Sequence, residues 1–383
     1  MSSPFSLLPP PSIDPIFAVA QEAGAAGTAA LDATVGVILD EQGRPHVLDC
    51  VRRAAQEWAQ TFAAGDFSYP PLLGVPAFRE AATRLIFGKN TDAVASIAAT
   101  GGTGAVALHL KLLKLLGITA VILPVPTWPN HQRLLKGFGF SVIEIPYLAD
   151  GKPAVEGIRQ ALAQAKEPVA LLLQAGCHNP TGLTYSVEQW QSIASVLSGE
   201  KHIVLLDLAY QGLAQEPEKD AAPVSLFRQT GIPLLVAWSA SKNHSIYGLR
   251  TGLACAVADN AAQKAELDRH FMIFTRELHS AASVAGQHIV AIVQQRSAKE
   301  WRNEIGVLRS LLQQKRALLA EAFPRFADAL RGEGMFALLP LSAEHIAALK
   351  RQNVFFTEDG RINIAGIPMA RMEELIGKVK SII

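Results

Sequence analysis

A lysine stands in a hydroxyl-rich turn whose other side chains suit a phosphate group. Lys242 follows Ser239 and Ser241, and Arg250 comes eight positions later. The hydroxyls can donate hydrogen bonds to a phosphate, and the guanidinium adds a permanent positive charge with a planar set of donors. An amine beside a phosphate site is the combination that pyridoxal phosphate needs. The turn therefore predicts a pyridoxal phosphate cofactor bound at Lys242.

Short apolar runs that end in polar turns are expected to position this lysine and its partners. Such runs are typical of buried strands in a parallel sheet, and ligands in open α/β sheets bind just past the carboxyl ends of the strands. Helical patterns separate the runs, which predicts an α/β fold with a mostly parallel sheet flanked by helices. The runs occupy residues 94–99, 120–123, 169–173, 203–206 and 234–238.

The turns after the first two runs carry candidate ligand contacts. Gly102 and Thr103 lie in a glycine-rich turn before a helix predicted over 105–116. Free N–H groups and the positive end of the helix dipole would cradle a phosphate there, although tight packing alone can also explain such a turn. Trp128, in a loop stiffened by three prolines, could stack on a heteroaromatic ring or fill the underside of its own loop.

The turns after the next two runs add polar groups. Asn179 lies in a His-Asn-Pro-Thr-Gly turn and can donate its amide to a bound oxygen. Asp207 and Tyr210 place a carboxylate and a phenol at the end of a strand. An acid at the end of an apolar strand needs a partner, and the alternative is that Asp207 caps a following helix.

Two further features are open to more than one interpretation, and one further helix is predicted. Gly36 could let a ligand approach the backbone, or could serve backbone geometry alone. Tyr69, in an extended proline-flanked segment, could reach outward or cover the core. An amphipathic helix is predicted over 300–323, with Lys315 and Arg316 on its solvent side.

Composition favours a protein that acts on small molecules. The chain has 383 residues, 49% of them hydrophobic, enough for one large α/β domain and a smaller one. With 35 basic and 34 acidic residues and no long block of like charge, neither a nucleic acid nor a membrane is expected as a partner. Three scattered cysteines predict no disulfide framework and no metal site, and they fit a reducing cytoplasm. The start of the sequence lacks a secretory signal, and glycines interrupt the uncharged stretch 93–110.

Four motifs in order resemble the class I aminotransferases, in the aspartate and aromatic branch of the fold-type-I pyridoxal phosphate enzymes. Further likeness lies in the segments PSIDPIF, DEQGRPHVL, PTWPNH and GRINIAG, so it covers nearly the whole chain. The resemblance implies a large domain at residues 46–300 and a small α/β domain made of residues 1–45 and 301–383. The four motifs are Asn179-Pro-Thr-Gly182, Asp207-x-Ala-Tyr210, Ser239-x-Ser-Lys242 and Arg250-x-Gly252.

The resemblance also implies roles for the residues around the cofactor. Lys242 would link to the cofactor and move a proton at the substrate α-carbon. Asp207 would pair with the pyridine nitrogen, and Tyr210 and Asn179 would bond the phenolic oxygen of the ring. Trp128 would lie on the face of the ring. The phosphate would be held by Gly102, Thr103, Ser239, Ser241 and Arg250, with Tyr69 reaching in from the second subunit of a homodimer.

Substrate contacts are implied in the same way. Arg361 would grip the α-carboxylate as a planar fork, with Trp128, Asn179 and Gly36 around the substrate. Arg276, 34 residues after Lys242, would bind a distal carboxylate across the dimer interface; a surface arginine is the alternative. Two features depart from the family pattern: Gln174 replaces a common histidine, and residues 280–283 read Ser-Ala-Ala-Ser.

The expected activity is transfer of an amino group between an acidic or aromatic L-amino acid and 2-oxoglutarate or oxaloacetate, in two half-reactions with ping-pong kinetics. One alternative is a pyridoxal phosphate lyase of the same fold. Another is a non-catalytic regulatory protein that keeps the cofactor, which the intact Lys242 disfavours.

Overall fold

The computed structural model describes residues 3–8, 15–61 and 68–383. The triple proline at 9–11 and the start of the PSIDPIF segment lie outside the described residues.

Within these ranges the chain alternates strands and helices over most of its length. The strands are β1 Leu31–Asp32, β2 Val94–Thr100, β3 Ala120–Val125, β4 Ser141–Pro146, β5 Leu148–Ala149, β6 Lys152–Pro153, β7 Ala170–Gln174, β8 Ile203–Leu208, β9 Leu234–Ser239, β10 Thr251–Val257, β11 Phe336–Leu338, β12 Val354–Phe355 and β13 Arg361–Asn363. The α-helices are α1 Pro15–Ala25, α2 Asp49–Thr61, α3 Pro76–Phe87, α4 Gly101–Leu115, α5 Pro129–Gly137, α6 Glu156–Gln164, α7 Val187–Leu197, α8 Pro217–Asp220, α9 Ala222–Gln229, α10 Ala261–Leu278, α11 Ala285–Arg296, α12 Ala298–Ala322, α13 Ala327–Leu330, α14 Ala343–Arg351 and α15 Met372–Lys380.

Seven strands form the central sheet, in the order β2-β10-β9-β8-β7-β3-β4. β10 runs antiparallel to both of its neighbours, and the other adjacent pairs are parallel. The carboxyl ends of β2, β3, β7, β8 and β9 therefore share one edge of the sheet. Because β10 runs the opposite way, its amino end and the preceding Arg250 lie at that same edge.

Apolar residues on both faces explain why this sheet is buried. Every residue of β7, β8 and β9 is buried, as expected for strands covered by helices on both sides. One core cluster joins the sheet to α2, α3, α7 and α11. A second cluster joins the other face to α4 and α10. The prediction of an α/β fold with a mostly parallel sheet is confirmed.

A third core cluster packs the two ends of the chain together. Leu31 and Ala33 lie in it with apolar residues between Leu319 and Val379. The pairing of β1 with β12 joins the same two parts of the chain. The helix α12 supplies Leu308 and Leu312 to the first cluster and, further along, Leu319 to the third. The division into domains at residues 46 and 300 stays a prediction.

Three local predictions differ from the structure. The helix predicted to begin at residue 105 begins at Gly101, so the glycine-rich turn is its first turn. A glycine in an apolar run followed by a Gly-Arg-Pro turn predicts a short strand pair within residues 32–51, but the structure has one isolated bridge there, between Leu39 and Pro45. Lys315 and Arg316, expected on the solvent side of α12, are 0% and 3% exposed. Lys315 donates to the carbonyl of Ile367, and Arg316 donates to carbonyls within residues 330–336. Among the described residues, no helix is long and apolar enough to cross a membrane.

Candidate active site

A cavity of about 540 Å³ lies at the edge of the sheet where the parallel strands end. It is lined by all of the predicted site residues except Tyr69 and Arg276. The lining includes Gly36, Gly102, Thr103, Trp128, Asn179, Asp207, Tyr210, Ser239, Ser241, Lys242, Arg250 and Arg361.

The amine of Lys242 lies inside this cavity, at the turn after β9. Its Nζ donates a hydrogen bond to the carbonyl of Gly36 and lies 4.7 Å from the centre of the Tyr247 ring. Burial, together with the positive charges of Arg250 and Arg361, lowers the pKa of Lys242 to about 7. A large share of this amine is therefore neutral near pH 7, which is the form that attacks a carbonyl or accepts a proton.

Asp207 is a buried carboxylate at the next-to-last residue of strand β8. Its Oδ2 lies 3.0 Å from Nε2 of His131, whose Nδ1 is 3.0 Å from the hydroxyl of Thr127. Its Oδ1 has no hydrogen-bond partner among the described residues. The alternative of a helix cap does not apply, since the next helix begins only at Pro217. A buried carboxylate oxygen without a donor is suited to a ligand that brings an N–H group.

Asn179, Tyr210 and Arg361 form a polar cluster in the lining of the cavity. Arg361 donates from Nη1 to Oδ1 of Asn179 at 3.1 Å and from Nη2 to the carbonyl of Thr34 at 2.6 Å. The phenol of Tyr210 lies beside Asn179 and within reach of the charges of Asp207 and Arg361. Burial and the charge of Asp207 raise the pKa of Tyr210 above its ordinary value, so the phenol stays protonated and can donate. The cluster presents donors to an anionic or phenolic oxygen.

The turn after β9 and the start of α4 together form an anion cradle. Ser241 receives a hydrogen bond from Nη1 of Arg250 at 3.2 Å, and the hydroxyl of Ser239 donates to that of Ser241 at 3.1 Å. A Cβ at Gly101 would lie 2.5 Å from Nη2 of Arg250, so only glycine lets the guanidinium reach the first turn of α4. Free N–H groups at that helix start, two hydroxyls and one guanidinium match the donors that a phosphate takes.

A short strap, residues 34–37, closes one wall of the cavity. Asn363 donates from Nδ2 to the carbonyls of Val35 and Val37, at 2.6 and 2.8 Å. A Cβ at Gly36 would lie 2.9 Å from Cζ of Phe336, so the close approach of the strap requires glycine. This contact is with Phe336, so the close approach of a ligand to Gly36 stays a prediction.

Comparison with known proteins identifies the family to which this chain belongs. The profile described as "Aminotransferase class I and II" matches residues 30–379. The mitochondrial aspartate aminotransferase of Dictyostelium discoideum is 31% identical over 360 residues, which cover 89% of this chain and 84% of the relative. The aromatic-amino-acid aminotransferase of Paracoccus denitrificans is 33% identical over 352 residues, which cover 88% of this chain and 89% of the relative. This chain belongs to the class I and II aminotransferase family.

Solved structures agree with this membership of the aminotransferase family. An aromatic-amino-acid aminotransferase from Burkholderia pseudomallei, covalently bound to pyridoxal phosphate, matches with a TM-score of 0.94 at 26% identity and covers 100% of both chains. The broad-specificity aminotransferase from Leishmania mexicana matches with a TM-score of 0.93 at 28% identity, covering 98% of this chain and 97% of that one. The predictions of a class I aminotransferase and of a pyridoxal phosphate cofactor are confirmed.

Three features of the cavity lining fit pyridoxal phosphate. The cradle of Ser239, Ser241 and Arg250 has the charge and donors for the phosphate. The open Oδ1 of Asp207 can accept from a protonated ring nitrogen. The low pKa of Lys242 leaves an amine able to join the aldehyde. Among the described residues, no cluster of His, Cys, Asp and Glu could hold a metal ion.

Two predicted site residues of the aminotransferase lie outside the cavity of their own chain. Tyr69 is 89% exposed, and Arg276 is exposed in the last turn of α10. This placement is compatible with contacts to a second subunit, and also with a surface role. Their functions stay predictions.

Three side chains of this aminotransferase site were not predicted from the sequence. His131 holds Asp207, Tyr247 accepts a hydrogen bond from the N–H of Ile38 at 3.0 Å, and Asn363 holds the strap. Their sequence signals are weak, because each acts on a residue distant in the chain.

Gln174, which departs from the family pattern, donates to the hydroxyl of Thr127 at 3.2 Å and to the carbonyl of Asn179 at 2.9 Å.

Proposed function

We propose that this aminotransferase uses pyridoxal phosphate to move an amino group between an acidic or aromatic L-amino acid and 2-oxoglutarate or oxaloacetate. The observation that carries the proposal is the placement of the Lys242 amine in one cavity with Asp207, the anion cradle and Arg361. The names of the aspartate and aromatic-amino-acid aminotransferases among the relatives support this substrate class.

The proposed role of Asp207 is to keep the ring nitrogen protonated. When bound, the cofactor supplies an electron sink that stabilises negative charge at the substrate α-carbon. His131 orients Asp207 through Oδ2, which leaves Oδ1 for the ring nitrogen. A buried carboxylate strengthens its interaction with a positive partner, since little water screens the pair.

The proposed role of Lys242 is to carry a proton to and from the substrate α-carbon. Burial and two neighbouring cations lower its pKa to about 7, close to the value at which one group both accepts and releases a proton efficiently. Its contact with the Gly36 carbonyl holds the amine against the strap between these transfers.

The proposed role of Arg361 is to bind the α-carboxylate of each substrate. Its guanidinium is held by Asn179 and by the carbonyl of Thr34, and it lies 4.7 Å from the centre of the Phe336 ring. A planar fork fixed in this way can meet a carboxylate with two parallel hydrogen bonds. Trp128, which also lines the cavity, would lie against the ring face of the cofactor.

A homodimer and a cytoplasmic location are also proposed. Several large apolar or aromatic side chains are exposed, among them Tyr69, Leu72, Leu249, Ile273 and Leu278. Such a set supports an interface with a second copy, which would bring Tyr69 and Arg276 to the neighbouring cavity. The three cysteines are free and buried, which suits a reducing compartment.

A screen of amino donors with 2-oxoglutarate as acceptor tests the proposed function. We expect glutamate production with aspartate, phenylalanine or tyrosine, and parallel lines in double-reciprocal plots as the mark of two half-reactions. Release of ammonia in place of amino transfer would contradict the proposal and favour a lyase.

A further inference from the structure

The helix α12 carries a buried arginine that the proposed mechanism does not use. Arg316 is 3% exposed and lies where α12 passes from the first core cluster to the third. Burial lowers its pKa to about 10, so the guanidinium stays charged at neutral pH. Among the described residues, no carboxylate lies within ion-pair distance of it. A buried charge without a carboxylate needs another source of compensation.

Main-chain carbonyls of a single segment supply that compensation. Arg316 donates from Nε to the carbonyl of Gly334 at 3.0 Å and from Nη1 to that of Leu330 at 2.9 Å. Its Nη2 donates to the carbonyl of Glu333 at 2.7 Å and to that of Phe336. All three nitrogens of one rigid group therefore hold residues 330–336, which lead into β11.

The same segment is joined to the turn that carries Asn179. The N–H of Glu333 donates to the carbonyl of Gly182 at 2.6 Å, and the hydroxyl of Thr184 donates to Oε2 of Glu333 at 2.9 Å. Gly182 has a φ of +69°, and a Cβ there would lie 2.5 Å from Nη2 of Arg316. The guanidinium thus lies directly between residues 330–336 and the turn at 177–184.

The segment 330–336 and the turn at 177–184 each contribute one residue, Phe336 and Asn179, to the lining of the cavity beside Arg361. The Phe336 ring lies under the guanidinium of Arg361 at 4.7 Å and edge-on to Tyr210 at 6.1 Å, and it limits the space at Gly36. Asn179, on the other segment, accepts a hydrogen bond from Arg361 at 3.1 Å. Arg361 therefore contacts both Phe336 and Asn179, and these two residues belong to segments that pack together at Arg316.

We propose that Arg316 is a positioning residue, which fixes residues 330–336 by hydrogen bonds, packs them against the turn at 177–184 and thereby holds Phe336 and Asn179 in place around Arg361. This inference rests on the proposed function in so far as Arg361 binds the substrate carboxylate. Lysine cannot replace Arg316 in this role, because an ammonium group is a point charge that cannot span carbonyls on three sides.

The neighbouring Lys315 provides a matched control. It is fully buried on the same helix and donates from Nζ to one carbonyl, that of Ile367, which does not line the cavity. Lys315→Met therefore removes a buried cation and its carbonyl contact without touching either support of Arg361. A comparison of Arg316→Lys, Arg316→Met and Lys315→Met separates loss of stability from loss of positioning.

The test measures the affinity for 3-indolepropionic acid, a carboxylic acid without an amine, by calorimetry on cofactor-loaded protein, together with KM and kcat for an amino-acid donor. We expect both Arg316 variants to weaken acid binding and raise KM by about tenfold or more, since small misplacements of a binding group are costly. The visible absorbance of the cofactor per subunit is expected to stay unchanged. Lys315→Met is expected to change the dissociation constant of the acid and the KM of the donor by less than about threefold, although it lowers thermal stability about as much as the Arg316 variants do.

Hydrogen exchange supplies a readout that does not depend on turnover. We expect the amides of residues 330–336 and 178–184 to exchange faster in the Arg316 variants than in Lys315→Met. If Arg316→Met does not fold, Arg316→Lys, which keeps the charge, decides the question. Equal changes in acid binding for the Lys315 and Arg316 variants, or unchanged exchange in these two segments, would overturn the inference. A wild-type protein that neither binds the acid nor transaminates would contradict the proposed function instead, and exchange alone would then decide whether Arg316 is the anchor.

Discussion

Nε2 of His131 lies 3.0 Å from Oδ2 of Asp207, while Oδ1 of the same carboxylate has no hydrogen-bond partner among the described residues. The histidine therefore fixes the plane of the carboxylate and leaves one oxygen for a ligand. This division of the two oxygens explains how a buried acid can be held in place by the protein and still interact with a ring nitrogen.

Replacing Asp207 with asparagine is expected to reduce turnover more than cofactor binding. The amide is neutral, so it cannot keep the ring nitrogen protonated, although the phosphate cradle and Lys242 remain. Loss of one charge-assisted contact of about 1.5 to 3 kcal/mol corresponds to roughly a ten- to hundredfold drop in kcat/KM. Steady-state kinetics and the visible spectrum of the same sample check this. A variant with full activity would show that Oδ1 has no part in the reaction.

The pKa of Lys242 predicts an unusual pH dependence for cofactor uptake by the cofactor-free protein. A lysine pKa lowered to about 7 means that the neutral amine predominates above that pH and is lost as the pH falls below it. The rate of uptake, followed by visible absorbance, is expected to rise between pH 6 and pH 8 and then to level off. A rate that continues to rise to pH 10 would indicate a lysine with its ordinary pKa.

Arg361→Lys is expected to weaken the binding of every amino-acid substrate. A lysine keeps the positive charge but cannot make two parallel hydrogen bonds to the α-carboxylate. The expected loss of about 1.5 to 3 kcal/mol lowers kcat/KM roughly ten- to hundredfold, mainly through KM. Michaelis constants for one acidic and one aromatic donor measure it. An unchanged kcat/KM for both donors would remove Arg361 from the binding site.

Arg276→Ala is expected to distinguish acidic from aromatic substrates. If Arg276 binds a distal carboxylate, aspartate loses a charged partner worth about 1.5 to 3 kcal/mol, or roughly ten- to hundredfold in kcat/KM. Phenylalanine carries no such group and should change by less than about threefold. Single-turnover half-reactions give the ratio of the two constants. Equal losses for both donors would identify a structural arginine.

Mixing two impaired variants tests whether Arg276 acts across a dimer interface. In a hybrid of Lys242→Ala and Arg276→Ala subunits, one cavity would carry both changes and the other would carry neither. Random reassociation is then expected to restore aspartate activity to roughly a quarter of the wild-type value. No recovery, with hybrid formation verified by mass, would place Arg276 in the cavity of its own chain.

The sheet and most of its site could be predicted because each motif adjoins its own strand. Lys242 lies three residues after the end of β9, Asp207 lies within β8, and Asn179 follows β7 after a short turn, so local patterns were sufficient. Because β7, β8 and β9 are parallel neighbours in the sheet, their carboxyl ends lie side by side at one edge. The start of α4 was less predictable, since Gly101, Gly102 and Gly104 have low helix propensity and read as a loop.

Residues that depend on contacts distant in sequence could not be predicted in the same way. The pattern of α12 marked Lys315 and Arg316 as polar and therefore exposed, but their partners are carbonyls at 330–336 and 367. His131 likewise lies 76 residues from the carboxylate it orients. The periodic pattern of a helix shows which of its residues are apolar. It cannot show that a lysine or arginine is buried, because main-chain carbonyls bind the charge and any residue type can supply them.

The central claim, amino transfer through Lys242, is tested most directly by one half-reaction in the absence of any amino acceptor. Purified enzyme mixed with excess aspartate should lose the visible absorbance of its bound cofactor and release one 2-oxo acid per active site, without ammonia, and then stop. Addition of 2-oxoglutarate should restore the absorbance, and Lys242→Ala should show neither change. Continued product formation with release of ammonia, or an unchanged response in Lys242→Ala, would contradict the claim.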